Sequence, residues 1–348
     1  MKIIGFFMIL LGLLTGLSAR AETWRTTQGE AFEASLAGVY GPLALFSGKQ
    51  GSRLLSVEYL DDAALQRVAQ FLAQPRGASP AWKDSTSKIG KALRGKLQEL
   101  RDAKLAAFDP GERPEPEFYV AYFGAHWCPP CRRFSPRLVE AYHRLKERAP
   151  DRFEVIYMPR DRDASEMLDY VREAKMPWPV VKFSSAHSIE PIARWAGKGI
   201  PCLVVLTREG DLLFHSYRGE EYLGPDEPLK KFEALLATSQ SSSPSARRAL
   251  HRLAIAQHVL AANSGDLAVK PYAIALDKSR YQTLEAKQLE AALSIDEHGK
   301  VKDVAVKPEL PAVLKYQFQT DADTWLFLPS IVAGKPTATK VVLPVVLK

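Results

Sequence analysis

Cysteine is scarce in this sequence. Only three occur among 348 residues: Cys128, Cys131 and Cys202. A secreted fold held together by disulfides uses a larger, even set in a shorter chain, so that class is excluded. Stability must come from packing, which a 46% hydrophobic composition can supply. Cys128 and Cys131 are therefore available for reactive chemistry.

Long apolar runs are also missing, apart from one at the start. Lys2 precedes an apolar stretch from Ile3 to Leu17, and the small residues Ala19 and Ala21 follow. This pattern predicts a secretory signal peptide, residues 1–21, cleaved after Ala21. The apolar run is short for a bilayer span, which needs about 20 residues, although an uncleaved anchor is the alternative. We expect a periplasmic or secreted protein with no membrane span after cleavage.

Dense blocks of basic residues interleaved with aromatics are absent. The formal charge of +7 falls to +5 if Lys2 and Arg20 leave with the signal peptide. The basic stretch from Lys88 to Lys104 has apolar residues at helical spacing, which predicts a solvated face on an amphipathic helix. No nucleic-acid partner is expected.

Two low-complexity stretches divide the chain, and no internal repeat is present. We predict a first module at 22–73, a linker at 74–86, a central domain at 87–237, a linker at 238–247 and a last module at 248–348.

The first module has the pattern of three short strands and a helix. The strands are predicted at Ala31–Tyr40, Leu43–Ser47 and Leu54–Tyr59, and Asp61 or Asp62 can cap the helix. With the line from Trp24 to Gly29, this segment resembles the small SH3-like β-barrels of Sla-homology type. The resemblance implies a docking module without catalysis.

The last module alternates helix and strand signals. We predict an opening helix from Arg247, a hairpin of Leu289–Ile295 and Val301–Val306, a helix at Glu309–Phe318, and strands at Trp325–Pro329 and Lys340–Leu347. This order resembles the α+β C-terminal domain of TonB-type energy transducers. No long Pro-rich spacer precedes it, so a periplasmic protein-contact module is the safer inference.

The central domain predicts an α/β fold. Strand signals lie at Glu117–Phe123 and Phe153–Met158, helices at Ser165–Ala174, Asp226–Leu236 and from Pro129, and a hairpin at Cys202–Thr207 and Leu212–Ser216. This order of elements, strand, helix, strand, helix, hairpin and helix, predicts a mixed sheet with helices on both faces.

Cys128 and Cys131 enclose two prolines between a predicted strand and a predicted helix. Cys128 then lies at the helix N-terminus, where unpaired N–H groups and the helix dipole stabilise a thiolate. A thiolate is the attacking form of cysteine, so Cys128 is the expected nucleophile. Cys131, one turn inside, is expected to resolve the mixed disulfide, while Pro129 and Pro130 stiffen the loop.

Other uses of this pair must be weighed. Zinc would need a second pair of ligands, and only Cys202 and the neighbouring His126 are available. Haem attachment needs His after the second cysteine, where Arg132 stands. A merely structural disulfide is a further alternative. We expect no metal and no cofactor.

The run from Tyr122 to Cys131 resembles the active-site stretch of nucleoredoxins and tryparedoxins in the thioredoxin superfamily. Pro136, Asp161–Asp163 and Met176–Trp178 match further stretches of that group. The resemblance covers about 120 residues. It implies a thioredoxin-like fold and thiol–disulfide oxidoreductase activity.

The resemblance also assigns expectations to residues around the pair. Pro201 is expected to form a cis peptide bond with Ile200, whose backbone would face the sulfurs and pair with an extended substrate. Trp127 is expected to pack beside the dithiol.

For each of three nearby residues, the sequence allows two interpretations. Tyr122 stands where thioredoxins have a buried Asp, and it is either a core aromatic or part of a proton relay. His126 is either an exposed flanking residue or a partner of the Cys128 thiolate. Cys202 is either a buried small residue or a third redox thiol.

The function predicted from these features is an exported enzyme that exchanges its dithiol with the disulfides of client proteins. An upstream reductant or oxidant would reset the Cys128–Cys131 disulfide. The alternative is an envelope adaptor, in which the central domain makes protein contacts without turnover and the flanking modules bind envelope proteins.

Overall fold

The computed structural model of this chain describes residues 21–49, 51–75, 79–237, 243–263 and 265–347. The predicted signal peptide, apart from its last residue, and parts of both linkers lie outside these residues. Within them, no helix combines the length and apolar character needed to cross a bilayer.

The first module is an antiparallel sheet followed by a helix. Its strands pair in chain order: β1 (Glu22–Arg25), β2 (Ala31–Tyr40), β3 (Leu43–Gly48) and β4 (Gly51–Ser56). Helix α1 (Asp62–Ala73) begins where the Asp61 carboxylate accepts a hydrogen bond from the Ala64 N–H at 2.7 Å. The all-β sheet is confirmed, and the finer SH3-like likeness stays a prediction.

The central domain is built on a seven-stranded mixed sheet. Its first elements are α2 (Lys88–Leu93), β5 (Leu97–Arg101), β6 (Lys104–Ala107), β7 (Phe118–Gly124), α3 (Pro129–Arg148) and β8 (Phe153–Pro159). They are followed by α4 (Ala164–Glu173), β9 (Val180–Val181), α5 (Glu190–Ala193), β10 (Cys202–Thr207), β11 (Leu212–His215), β12 (Tyr217–Arg218), β13 (Glu221–Tyr222) and α6 (Asp226–Ala237). The strand order across the sheet is β11-β10-β7-β8-β9-β5-β6, and β7 pairs in parallel with β8.

Strand β7 lies in the middle of this sheet and is buried along its whole length. Because side chains alternate along a strand, Phe118, Val120 and Tyr122 pack against α3, α4 and α6 on one face. Tyr119, Ala121 and Phe123 pack against α2 and α5 on the other. The predicted mixed sheet with helices on both faces is therefore confirmed.

The expected amphipathic helix over Lys88–Lys104 is wrong. Helix α2 ends at Leu93, and Gly95 adopts a φ of +68°, which a helix cannot contain. The chain then turns into β5, whose Leu97 pairs with Val181 at the edge of the sheet. The helical spacing of the apolar residues was real, but the long-range strand pairing outweighed it.

The last module opens with α7 (Pro244–Ala262) and continues with strands on both sides of a second helix. The elements are β14 (Lys270–Ala273), β15 (Gln288–Ile295), β16 (Val301–Lys307), α8 (Ala312–Ala322), β17 (Leu326–Leu328), β18 (Ser330–Val332), β19 (Lys335–Thr337) and β20 (Thr339–Val346). Strand β15 is central, between β16 and β20. The helix predicted at Glu309–Phe318 begins three residues later, because Pro311 restricts Leu310 to extended backbone. The likeness to TonB-type domains stays a prediction.

Helix α7 touches both flanking modules. Its small apolar residues Ala249, Leu253 and Ala256 belong to the same core as Trp24 and α1 of the first module. On another side, His251 Nε2 donates a hydrogen bond to the Phe327 carbonyl of β17 at 2.7 Å. Helix α7, the first element of the last module, therefore also packs against the first module.

The segments before the central domain also pack against it. Trp82, within the predicted linker, is 6% exposed and lies 5.9 Å from the Tyr119 ring centroid. Tyr40 of β2 lies 5.1 Å from Phe118 of β7 by the same measure. The predicted domain boundaries remain predictions.

Candidate active site

The Cys128–Cys131 pair lies at the start of α3, just beyond the end of β7. The two sulfurs form a disulfide, with the Cα atoms 5.2 Å apart. Cys128 is the N-cap of α3, and its Sγ lies 3.2 Å from the Cys131 N–H that points out of the helix. The sulfur therefore occupies the place where a helix N-terminus stabilises negative charge.

The two cysteines differ in what surrounds them. Cys128 is 3% exposed and borders a groove, whereas Cys131 is fully buried within the core. Pro129 and Pro130 occupy the first turn of α3, where an N–H would have no partner inside the helix. The predicted outer and inner sulfurs thus have the expected positions, while their chemical roles remain predictions.

The groove beside Cys128 has a volume of about 500 Å³. It is lined by Trp127, Cys128, Pro129, Pro130, Arg160, Gly197, Lys198, Gly199 and Ile200. The Ile200–Pro201 peptide bond is cis, as the sequence predicted. The Ile200 carbonyl lies 3.8 Å from Cys128 Sγ, and the Pro201 carbonyl accepts a hydrogen bond from the Tyr222 hydroxyl at 2.8 Å.

Trp127 borders the groove with an indole that is fixed at one end. The residue is 44% exposed, and its Nε1–H donates to the Arg160 carbonyl at 3.1 Å. A large aromatic held in this way offers apolar contact area at little entropic cost.

Tyr122 is fully buried behind Cys131. Its hydroxyl lies 3.3 Å from the Cys131 carbonyl, 3.0 Å from Ser135 Oγ and 2.9 Å from the Tyr170 hydroxyl. Burial raises the pKa of Tyr122 well above its ordinary value, so the phenol stays neutral. These contacts favour the interpretation as a core aromatic whose hydroxyl is satisfied by its neighbours.

His126 contacts residues of α4 and the loop before it. Its Nε2 lies 2.9 Å from a Glu173 carboxylate oxygen, and its backbone N–H donates to Asp161 at 2.7 Å. The ring also lies beside Tyr170. These contacts favour the interpretation as a flanking residue paired with α4.

Cys202 is fully buried at the start of β10. Its Sγ lies 4.0 Å from His215 Nε2, and burial raises the pKa of the thiol to about 11. A thiol with that pKa is almost entirely protonated near neutral pH and is a poor nucleophile. The geometry favours a buried small residue over a third redox thiol.

Several residues of the site were not among the sequence-predicted candidates: Asp161 and the groove-lining Arg160, Gly197, Lys198 and Gly199. Asp161 is 8% exposed and accepts hydrogen bonds from Tyr157 at 2.6 Å and from the His126 N–H, while burial raises its pKa. Arg160 lines the groove itself. The sequence signal for this region was the resemblance of Asp161–Asp163 to a stretch of the nucleoredoxin group.

Comparisons with known proteins agree on the central part of the chain. Residues 117–212 match the family model described as thioredoxin-like. Probable nucleoredoxin 1 of Arabidopsis thaliana is 37% identical over 122 residues, 33% of this chain and 21% of that protein. Nucleoredoxin of Bos taurus is 35% identical over 132 residues, 38% of this chain and 28% of that protein.

Solved structures also match part of the chain. Tryparedoxin from Trypanosoma brucei is 26% identical, with 37% of this chain and 87% of that chain covered and a TM-score of 0.30. The matched segment spans only a fifth to just over a quarter of the nucleoredoxins above. The flanking modules are outside the family match. The central part of this chain, with Cys128 and Cys131 at the start of α3, is therefore a thioredoxin-like domain.

Proposed function

We propose that this protein is an exported thiol–disulfide oxidoreductase that exchanges the Cys128–Cys131 pair with disulfides of client proteins. One observation carries the proposal: Cys128 Sγ is the N-cap of α3 and borders a groove, with a second sulfur buried one turn behind it. The relatives' names support the chemistry, and the signal-like start of the sequence supports export.

The exchange proceeds in two displacements that balance without a cofactor. The reduced Cys128 thiolate attacks one sulfur of a client disulfide, whose S–S bond breaks, and the departing client sulfur takes a proton. Cys131 then loses its proton and attacks Cys128 Sγ, which releases the second client sulfur. Two electrons have passed from the dithiol to the client, and an external dithiol reduces the new Cys128–Cys131 disulfide.

The groove supplies what the chemistry needs beyond the sulfurs. The Ile200 carbonyl, close to Sγ, offers a backbone acceptor to an extended client chain. The anchored indole of Trp127 gives apolar contact beside it. Because Cys131 lies one turn behind Cys128, its attack on the mixed disulfide is intramolecular and competes well with capture of the intermediate by other thiols.

Reduction of insulin by dithiothreitol tests this function. Cys128→Ser should reduce the catalysed rate to background, and Cys131→Ser should accumulate a client joined to Cys128, seen by non-reducing mass spectrometry. Cys202→Ala is the matched control and should keep most of the activity, because that thiol is buried and protonated. Equal rates for wild type and Cys128→Ser would reject the proposed exchange and favour the interpretation as an adaptor.

A further inference from the structure

The groove beside Cys128 has an unbalanced charge. Two of its lining residues, Arg160 and Lys198, are cationic, and none of the nine is a carboxylate. The two cations differ in their surroundings. Lys198 forms an ion pair with Glu220, and both side chains are more than 70% exposed, so that pair is weak and screened by water.

Arg160 is half-buried and held in place by its own backbone. Its N–H donates to the Gly124 carbonyl at 2.8 Å, and its carbonyl accepts from the Trp127 indole. The guanidinium lies 5.0 Å from the centroid of the Phe123 ring. Within the part of the chain that the structure describes, the guanidinium makes one hydrogen bond, a long one of 3.4 Å from Nη1 to the Pro159 carbonyl, which leaves most of its five N–H donors for another acceptor.

The carboxylates nearest in sequence are already engaged elsewhere. Asp161 accepts hydrogen bonds from Tyr157 and His126, and Asp163 accepts one from the Glu166 N–H at the start of α4. Among the described residues, no carboxylate lies within 4.0 Å of the Arg160 guanidinium. A partly desolvated cation without an anion gains strongly when a ligand supplies one, and Arg binds carboxylates with a planar fork.

We propose that Arg160 makes the groove selective for disulfides that have a carboxylate next to the reacting cysteine. The inference rests on the proposed exchange at Cys128 and names its substrate class. In an extended chain, neighbouring residues lie about 3.3 Å apart, so an acidic residue beside the client cysteine comes within reach of a long Arg side chain. The carboxylate can come from an acidic client segment or from a small tripeptide disulfide such as oxidised glutathione.

The test uses three peptide disulfides that differ only beside the cysteine, with Glu, Gln or Lys at that position. Wild type should reduce them with kcat/KM in the order Glu, Gln, Lys, and the Glu peptide should exceed the Gln peptide by about tenfold at low salt. Arg160→Gln should bring that ratio close to one. Arg160→Lys should restore part of it, because the charge returns without the fork.

Two further variants assign the effect. Arg172→Gln removes the same charge from α4, outside the groove, and should leave the ratio unchanged. Lys198→Gln should change it less than twofold, because Lys198 is exposed and paired. If Lys198→Gln lost the preference for the Glu peptide while Arg160→Gln kept it, the assignment to Arg160 would be overturned.

The outcomes separate this inference from the function on which it rests. Turnover of no peptide by wild type would defeat the proposed exchange itself. Turnover of all three without preference, or an equal loss on all three in Arg160→Gln, would defeat only the selectivity. A preference for oxidised glutathione over the Glu peptide would identify the small disulfide as the source of the carboxylate, and the reverse order would identify an acidic client segment.

Discussion

Helices α3 and α7 begin in the same way and serve different purposes. Each starts with a cap residue followed by proline, and in each the cap side chain lies 3.2 Å from the N–H three residues on. In α3 the cap is the sulfur of Cys128, and in α7 it is the hydroxyl of Ser243. A thiol ionises within reach of neutral pH, and a serine hydroxyl does not.

The comparison indicates that a capped helix N-terminus needs further groups around it before it can support the proposed chemistry. Around Cys128 the structure adds a second sulfur, the Ile200 carbonyl and a groove lined by Arg160. Around α7 it adds the packing of small residues against the first module. The same local geometry therefore begins the helix of the candidate site in one place and a helix that packs two modules together in the other.

The largest expected effect concerns the two kinds of thiol. In the reduced protein, Cys128 should alkylate at pH 7 at least about 10³-fold faster than Cys202, because the helix N-terminus favours the Cys128 thiolate and burial raises the pKa of Cys202 to about 11. Iodoacetamide labelling over a pH series, read by mass spectrometry, measures both. A Cys128 no more acidic than a free thiol would remove the basis of the proposed function.

A transplanted pair would break the comparison most directly. Ser243→Cys with Ala246→Cys, in a Cys128→Ala and Cys131→Ala background, copies the cap and the sulfur pair onto α7 without Trp127, Arg160 and Ile200. We expect insulin reduction below about 1% of wild type, because client positioning is missing. The parent Cys128→Ala, Cys131→Ala protein is the control. Activity near that of wild type would show that a capped dithiol suffices.

The two caps should differ in what they contribute to stability. Ser243→Ala removes the cap of α7 and should lower the free energy of unfolding by about 1 kcal/mol. Cys128→Ser, measured in the reduced protein, keeps a capping side chain and should cost less than about 0.5 kcal/mol. Urea unfolding under reducing conditions compares them. A larger loss in Cys128→Ser would mean that the sulfur also has a structural role.

The smallest effect concerns the joint formed by α7. Burial lowers the pKa of His251, while its hydrogen bond to the Phe327 carbonyl partly opposes that shift. A histidine with a lowered pKa in the folded state contributes stability above its unfolded value of about 6.5, which is lost as the pH falls through the folded value. The melting temperature should therefore fall by a few degrees between pH 7.5 and 5.

His251→Gln is the control for that measurement. Glutamine keeps a donor for the Phe327 carbonyl and does not titrate, so the variant should show a flatter dependence on pH. An identical slope in the variant would place the acid sensitivity in other groups, such as His258, whose pKa burial also lowers.

The sequence predicted much of the central domain. The dense apolar run of β7, the Pro-Pro start of α3 and the hairpin of β10 and β11 lie close to their expected bounds, because each is specified by local signals. The helix predicted over Lys88–Lys104 was wrong because β5 pairs with β6 in a hairpin and with β9, which lies far along the chain. Arg160 was missed because nothing in its neighbours shows that it borders the groove.

The position of the proposed reactive pair was determined by the sequence alone, since the spacing of Cys128 and Cys131 and the proline after the first predict two sulfurs on one helical turn. The tertiary structure decided what that pair can meet. Residues more than 30 positions away, Arg160 and Ile200, come to Cys128 because β8 and β10 flank β7 in the sheet. Strand pairing between distant segments depends on the whole core, so no local pattern around the cysteines could reveal it.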